Sequence, residues 1–178
     1  MSRYKIIFTG PAGAGKTTAI TTISDKPVVK TDAAAVDHKS STSVALDYGA
    51  MSLDGGEKVH LYGTTGQEQF DALPDVFTDD GIGLILLLDN SRADPFQDLH
   101  FYLNAFDKFI ERTAVAIGVT HTDLSTQPAM ADYHLQLQAM GLKPPVFAVD
   151  AQQFSDVSLL VQALLYSLAP GVTDDQIE

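Results

Sequence analysis

Residues 10–17, GPAGAGKT, satisfy G-x-x-x-x-G-K-[ST] at every specified position, and they restrict the fold more than any other stretch of the chain. The pattern works only where an apolar strand runs into it and a helix runs out, and Ile6, Ile7 and Phe8 precede it here. A loop that curls round a phosphate must bring backbone N–H groups together, and side chains obstruct that. Gly10, Gly13 and Gly15 remove the obstruction, and the helix that follows adds the positive end of its dipole. The residues expected to hold phosphate are therefore Gly10, Pro11, Ala12, Gly13, Ala14, Gly15, Lys16, Thr17 and Thr18. Lys16 brings a full positive charge to the β- and γ-phosphates, and the Thr17 hydroxyl is placed to ligate Mg²⁺. The ligand implied is a nucleoside di- or triphosphate. Neither the base nor the reaction follows from the loop alone.

Charge narrows the partners. The chain of 178 residues carries a net charge of −12, with 11 Lys+Arg scattered and no basic cluster. A nucleic-acid groove needs a concentrated positive footprint and an anionic membrane needs a polybasic segment, so neither is expected as a partner. The phosphate site must then make its own positive field from oriented dipoles, one lysine and one metal. Without cysteine, a disulfide scaffold, thiolate-held zinc, a catalytic thiol and lipidation on sulfur are all excluded. The chain enters an apolar strand almost at once and has no run of membrane-spanning length. The expectation is a cytoplasmic protein with no direct membrane insertion.

Apolar runs alternate with amphipathic segments. Residues 4–9, 44–49, 58–62, 82–88, 114–119 and 146–149 read as six strands, those at 82–88 and 114–119 apolar enough to be buried on both faces. Asp94-Pro95-Phe96-Gln97 offers an N-cap acid, a proline at the first helical position and Gln three residues after the cap. Phe96, Leu99, Leu103, Phe106 and Ile110 follow at helical spacing. A second stripe (Met130, Tyr133, Leu137, Met140) closes at Gly141, and a third (Val157, Leu160, Leu164, Leu168) starts after Ser155 as cap and ends at Pro170-Gly171. Such alternation predicts a single α/β domain over residues 1–178, a three-layer α/β/α P-loop NTPase with a six-stranded, mostly parallel sheet. Its core is expected to span about residues 3–169, with 170–178 expected as a frayed tail.

Further stretches carry a resemblance. YGTTGQEQF (62–70), GVTHTDL (118–124), VDAQQ (149–153) and SSTSVALDYG (40–49) occur in the order of the switch and base-reading motifs of Ras-like small GTPases. The wording is most similar to bacterial members of the gliding-motility type, often paired with roadblock-domain proteins. The resemblance implies a slow GTP hydrolase acting as a GTP/GDP switch with Mg²⁺, whose second strand runs antiparallel. Its partners would be a regulatory protein, roadblock-like, and an effector. It also implies roles: Thr120 ties the base loop to the phosphate loop, Asp123 reads guanine, the Ala151 N–H donates to O6 and Asp150 braces that turn. Gln67 orients the attacking water, alongside Lys16, and the Gly66 N–H meets the γ-phosphate. Thr42, with Ser41 or Ser43 as alternatives, closes over the metal. The chemistry at Asp123 is sound on its own. A carboxylate accepts from adjacent N1–H and N2–H₂ groups, which guanine has and adenine lacks.

The chain departs from this pattern at two positions and by one absence. Gly63 stands where the family has its Mg²⁺-linked aspartate, which leaves open whether Asp89, ending ILLLD, is a Walker-B-type acid or a capping and loop residue. His121 replaces the lysine that packs on the purine. None of Arg3, Arg92 and Arg112 lies within residues 31–80, so hydrolysis is expected to be slow and partner-dependent. The five histidines show no metal-ligand spacing; His121 stays a nucleotide-binding candidate, since imidazole can stack on the base, and His38, His60, His100 and His134 are expected to be structural. Two other functions compete: an ATP-using ATPase or phosphotransferase, and a nucleotide-dependent scaffold without turnover.

Overall fold

The computed structural model describes residues 4–34, 43–64 and 82–168. Among them the elements run β1 (Tyr4–Thr9), α1 (Lys16–Ile23), β2 (Val29–Ala34), β3 (Ser43–Ser52), β4 (Lys58–Thr64), β5 (Ile82–Asp89), α2 (Pro95–Ala105), α3 (Asp107–Arg112), β6 (Val115–Thr120), α4 (Met130–Ala139), β7 (Val146–Ala148) and α5 (Phe154–Leu168).

The strands form one sheet in the order β2-β3-β4-β1-β5-β6-β7. The pairs from β4 through β1, β5 and β6 to β7 are parallel, whereas β3 is antiparallel to both β2 and β4. Among the described residues the sheet thus has seven strands, not the six expected. The missed strand is β2, VKTDAA, which lies at the sheet edge and pairs only with β3. An edge strand need not be apolar on both faces, so its sequence carries no continuous hydrophobic run.

Each face of the sheet is covered by its own core. On one side Ile20 and Ile23 of α1 and Leu160 and Leu164 of α5 pack on Ile6, Phe8, Leu61 and Ile85. On the other, Leu99 and Leu103 of α2, Phe109 of α3 and Tyr133 and Leu137 of α4 cover Ile7, Leu84, Leu86 and Leu88. Each buried Leu, Ile or Phe removes about 1.5–3 kcal/mol of apolar exposure, which fixes the strand faces and so the direction of every loop.

Two helix boundaries differ from expectation. The stripe from Phe96 to Ile110 is broken at Phe106, whose backbone (φ −106°, ψ 16°) ends α2 and opens α3. Its side chain stays buried, so the apolar spacing runs across the break unaltered. Ser155 lies inside α5 rather than capping it, because the helix starts at Phe154. The Asp94 cap behaves as read: its carboxylate accepts from the Gln97 N–H at 3.1 Å, with Pro95 at the first helical position. Gly141, at φ 73°, follows the end of α4. The tail at 170–178 lies outside the described residues, as does His38.

Strand β1 sits between β4 and β5, so connections leave it in opposite directions and a crevice opens beyond its C-terminal end. The loops after β1, β6 and β7 meet there.

Candidate functional site

A single cleft of about 780 Å³ joins Ala12–Thr18 at one end to Thr120–Asp123 and Ala148–Gln152 at the other, with Thr64 and Asp156 at its wall. Pockets of that size hold small molecules rather than peptides. Of the described phosphate- and base-binding candidates the lining includes all but Gly10 and Pro11; the alternative metal candidates Ser43 and Asp89 are not in it.

Those two act beneath the cleft. A Cβ on Gly10, whose φ is 144°, would lie 2.0 Å from the Leu87 carbonyl oxygen, so only glycine lets the loop cross β5 this closely. The Lys16 ammonium donates to the carbonyls of Gly10 and, at 3.3 Å, Pro11. Gly13, at φ 84°, has open space where a side chain would project. Gly15 is the N-cap of α1 with φ 97°, leaving the first turn of the helix facing the cleft. Lys16 is buried, and desolvation lowers its pKa from 10.5 to about 8 despite the opposing attraction of Asp47.

Asp47 is the residue that motif reading missed. It lies on β3, is 3% exposed, and accepts a hydrogen bond from the Thr17 hydroxyl through Oδ2. In the antiparallel ladder it sits directly opposite Gly63. A Cβ on Gly63 would lie 3.4 Å from Asp47 Cβ and 3.8 Å from Asp47 Oδ2. A side chain at 63 would thus start in van der Waals contact with Asp47, and its closest neighbour would be Ile20 Cδ1 at 2.7 Å. The sequence signal was a lone acid inside an otherwise apolar strand.

Asp89 is elsewhere. Its Oδ1 accepts from the Ser91 N–H (2.9 Å) and hydroxyl (2.5 Å) and lies 2.9 Å from His121 Nδ1. It is a turn and base-loop residue, and Asp47 is the acid at Thr17. Arg92 is likewise engaged away from the cleft, in an ion pair with Asp98 at 2.7 Å.

At the base end, buried Thr120 donates to the Ala14 carbonyl at 2.9 Å, linking the loop after β6 to the phosphate loop. The Thr22 hydroxyl makes a second link, to the Ala151 carbonyl at 2.6 Å. Asp150 braces its turn by accepting from the Gln152 N–H at 2.9 Å, and its own N–H donates to Asp156. The Ala151 N–H has no acceptor among the described residues, and Asp123 lies exposed at the rim of the cleft. Thr42, Ser41, Gly66 and Gln67 lie outside the described residues. Of the remaining histidines, His60 pairs with the Tyr48 hydroxyl (2.7 Å) and His100 with Gln136 (2.9 Å).

Oxygen donors are what Mg²⁺ requires, and the Thr17 hydroxyl beside the Asp47 carboxylate fits it. Groups of three or more His, Cys, Asp or Glu able to hold a metal are absent among the described residues. One or two protein oxygens plus phosphate oxygens is the usual way in which Mg²⁺ is held at such sites.

A glycine-rich phosphate loop at the switch point of a mostly parallel sheet, facing a Thr-x-x-Asp turn, defines a P-loop GTPase G domain. The chain belongs to the Ras of Complex family (Roc, domain of DAPkinase), whose profile matches residues 5–123. It is 25% identical over 176 residues to the Ras-related protein Rab-27A of Sus scrofa, covering 90% of this chain and 76% of that one. It is also 25% identical over 113 residues to Rab-12 of Mus musculus, covering 63% of this chain and 44% of that protein. Among solved structures, the G domain of the T. maritima FeoB iron transporter superposes with a TM-score of 0.66 at 17% identity. That match covers 94% of this chain and 99% of the other. These relatives are G domains, and GTP binding with hydrolysis is the activity of the class. No helix among the described residues is long and apolar enough to cross a membrane.

Proposed function

We propose that this cleft binds GTP and GDP with Mg²⁺ and that the domain works as a slowly hydrolysing switch. The observation that carries the reading is the meeting of a phosphate loop and a base-reading turn in one cleft, tied together by Thr120. Lys16 and the amides of Gly13–Thr18 hold the phosphates. Thr17 supplies a metal-facing hydroxyl, Thr42 a second one when the γ-phosphate is present, and Asp47 orients the metal's shell from β3. Mg²⁺ neutralises phosphate charge when bound. Asp123 accepts from guanine N1–H and N2–H₂, and the Ala151 N–H donates to O6.

Hydrolysis is slow because no arginine within residues 31–80 can neutralise charge on the γ-phosphate. A partner supplies what is missing. On the sequence resemblance, that regulator carries a roadblock-type domain in a cytoplasmic bacterial system of the gliding-motility type, and the GTP state engages an effector. Gln67→Ala should lose partner-stimulated turnover while keeping nucleotide affinity; an undiminished stimulated rate removes Gln67 from the mechanism.

The primary test is a calorimetric titration of nucleotide-stripped protein with GDP and with ADP, each with and without Mg²⁺. A strong, Mg²⁺-dependent preference for GDP is the expected result. Parity, or a preference for ADP, overturns the guanine assignment and moves the ATP-using reading forward.

A further inference from the structure

His121 replaces a lysine in the base-reading turn, and its backbone is unusual: φ is 59°, the left-handed region that bulky L-residues avoid. Such a conformation is strained and persists only where neighbouring contacts enforce it. The contact is on the next strand. Asp89 and Thr120 are register partners at the ends of β5 and β6, and His121 follows Thr120 directly. The left-handed turn leaves Nδ1 of the ring 2.9 Å from Asp89 Oδ1, where a right-handed continuation would carry the side chain elsewhere.

We propose that Asp89 is a positioning residue of the base pocket, locking the His121 imidazole through Nδ1 so that a fixed ring forms the wall that a lysine stem otherwise supplies. The inference rests on Thr120–Asp123 being the base-reading turn.

Three observations support it. The Asp89 side chain is only 12% exposed, whereas that of His121 is 37% exposed and lines the cleft, so the pair bridges interior to ligand space. Burial pushes the Asp89 carboxyl up, but the Ser91 and His121 donors outweigh it and hold the group below the usual carboxylate range. It is therefore an acceptor only, and the bonded Nδ1 must carry the proton. In the neutral ring that leaves Nε2 bare, the tautomer fixed by its partner. Lastly, the neighbouring Asn90 holds the rest of the same loop. Its N–H donates to the Thr120 carbonyl (2.9 Å), and its Nδ2 donates to the carbonyls of Ser125 (2.8 Å) and Pro128 (3.1 Å). Its Oδ1 in turn accepts from the buried Tyr133 hydroxyl at 2.6 Å. The end of β5 thus holds the loop at both its ends, and Asp89 does so through His121, whose side chain lines the cleft.

The competing role for Asp89 is to cap the Ser91 turn. A double-mutant cycle on the full chain separates the two, read as calorimetric nucleotide affinity with GDP and with ADP. Asp89→Ala and His121→Ala should each weaken binding roughly five- to tenfold, the scale of one lost buried hydrogen bond. The double variant should be no weaker than the weaker single one, because both changes remove one interaction. Asp89→Asn, which keeps the acceptor, should stay within about twofold of the parent, and so should Ser91→Ala. Ring-nitrogen NMR of the unaltered protein at about pH 9, above the ordinary histidine range, should show Nδ1 protonated. That measurement stands even where Asp89→Ala fails to fold. Additive losses, a Ser91→Ala effect equal to that of Asp89→Ala, or an Nε2-protonated ring overturns the proposal. An ADP preference refutes the guanine reading alone, and the cycle run on the tighter nucleotide still decides the role of Asp89.

Discussion

The two ends of the cleft have departed from the family pattern in opposite ways. At the phosphate end the chemistry is kept and the position changes: the carboxylate expected at residue 63 of β4 comes from Asp47, across the ladder on β3. At the base end the position is kept and the chemistry changes. Residue 121 stays in the turn, but an imidazole held from β5 stands in for a lysine. The difference follows from what each end recognises. A metal's shell needs an oxygen at a point in space and is indifferent to the strand that delivers it. A purine needs a flat wall beside a carboxylate at fixed spacing, so its turn cannot be rebuilt from another strand.

The largest test of that contrast is Asp123→Ala. If the base end depends on this carboxylate, the GDP-to-ADP affinity ratio should collapse by roughly 10³-fold, the scale of discrimination by a site built around hydrogen bonds. An unchanged ratio in competition binding would show that the turn does not read the base. Next in size is Lys16→Ala, expected to weaken GDP roughly 100-fold, because charge-assisted bonds to phosphate reach about 3 kcal/mol. Equal losses for GDP and ADP would place that effect at the phosphate end alone.

Smaller and more diagnostic is the exchange across the ladder. Asp47→Ala should lower Mg²⁺ affinity of the nucleotide complex about tenfold, as expected for a residue that orients a metal's shell. Adding Gly63→Asp should recover most of it. The new Cβ would lie 2.7 Å from Ile20 Cδ1, the tip of a flexible side chain able to move aside. A double variant as weak as the single one means that the strand, and not the point in space, matters.

The smallest effect is with pH. In the nucleotide-free fold Lys16 titrates at about 8 rather than 10.5. Between those values the unfolded chain holds the proton and the folded chain does not, so this group's contribution to stability rises with pH across the window. Bound phosphate restores the ammonium. Binding should then take up part of a proton near pH 8, and affinity should fall about twofold between pH 7 and 8. Calorimetry in buffers of different ionisation enthalpy reads the uptake directly; none at all means that Lys16 is already charged in the free protein.

The contiguous features were legible in the sequence. The strand, glycine loop and helix around Lys16 declare themselves within fifteen residues, and the runs that became β5 and β6 are apolar because both their faces are covered. What escaped is what only pairing creates. Strand β2 lies at the edge and needs no hydrophobic run. Asp47 reads as an oddity in a strand until Gly63 is set opposite it. The Asp89–His121 contact joins residues 32 positions apart through adjacent strand ends, and no local pattern reports it. The break at Phe106 is hidden for a different reason, since its side chain holds its place in the stripe while its backbone turns.

One consequence of the β3–β4 register reaches beyond this molecule. Because residues 47 and 63 face each other across the ladder, with a Cβ at 63 in van der Waals contact with Asp47, an acid at either address can serve the same point beside Thr17. Descendants of a common ancestor should carry the acid at one address and a small residue at the other, and intermediates with two acids or none should be rare. A search demanding the acid at the usual place would discard such chains, while one that scores the pair would keep them.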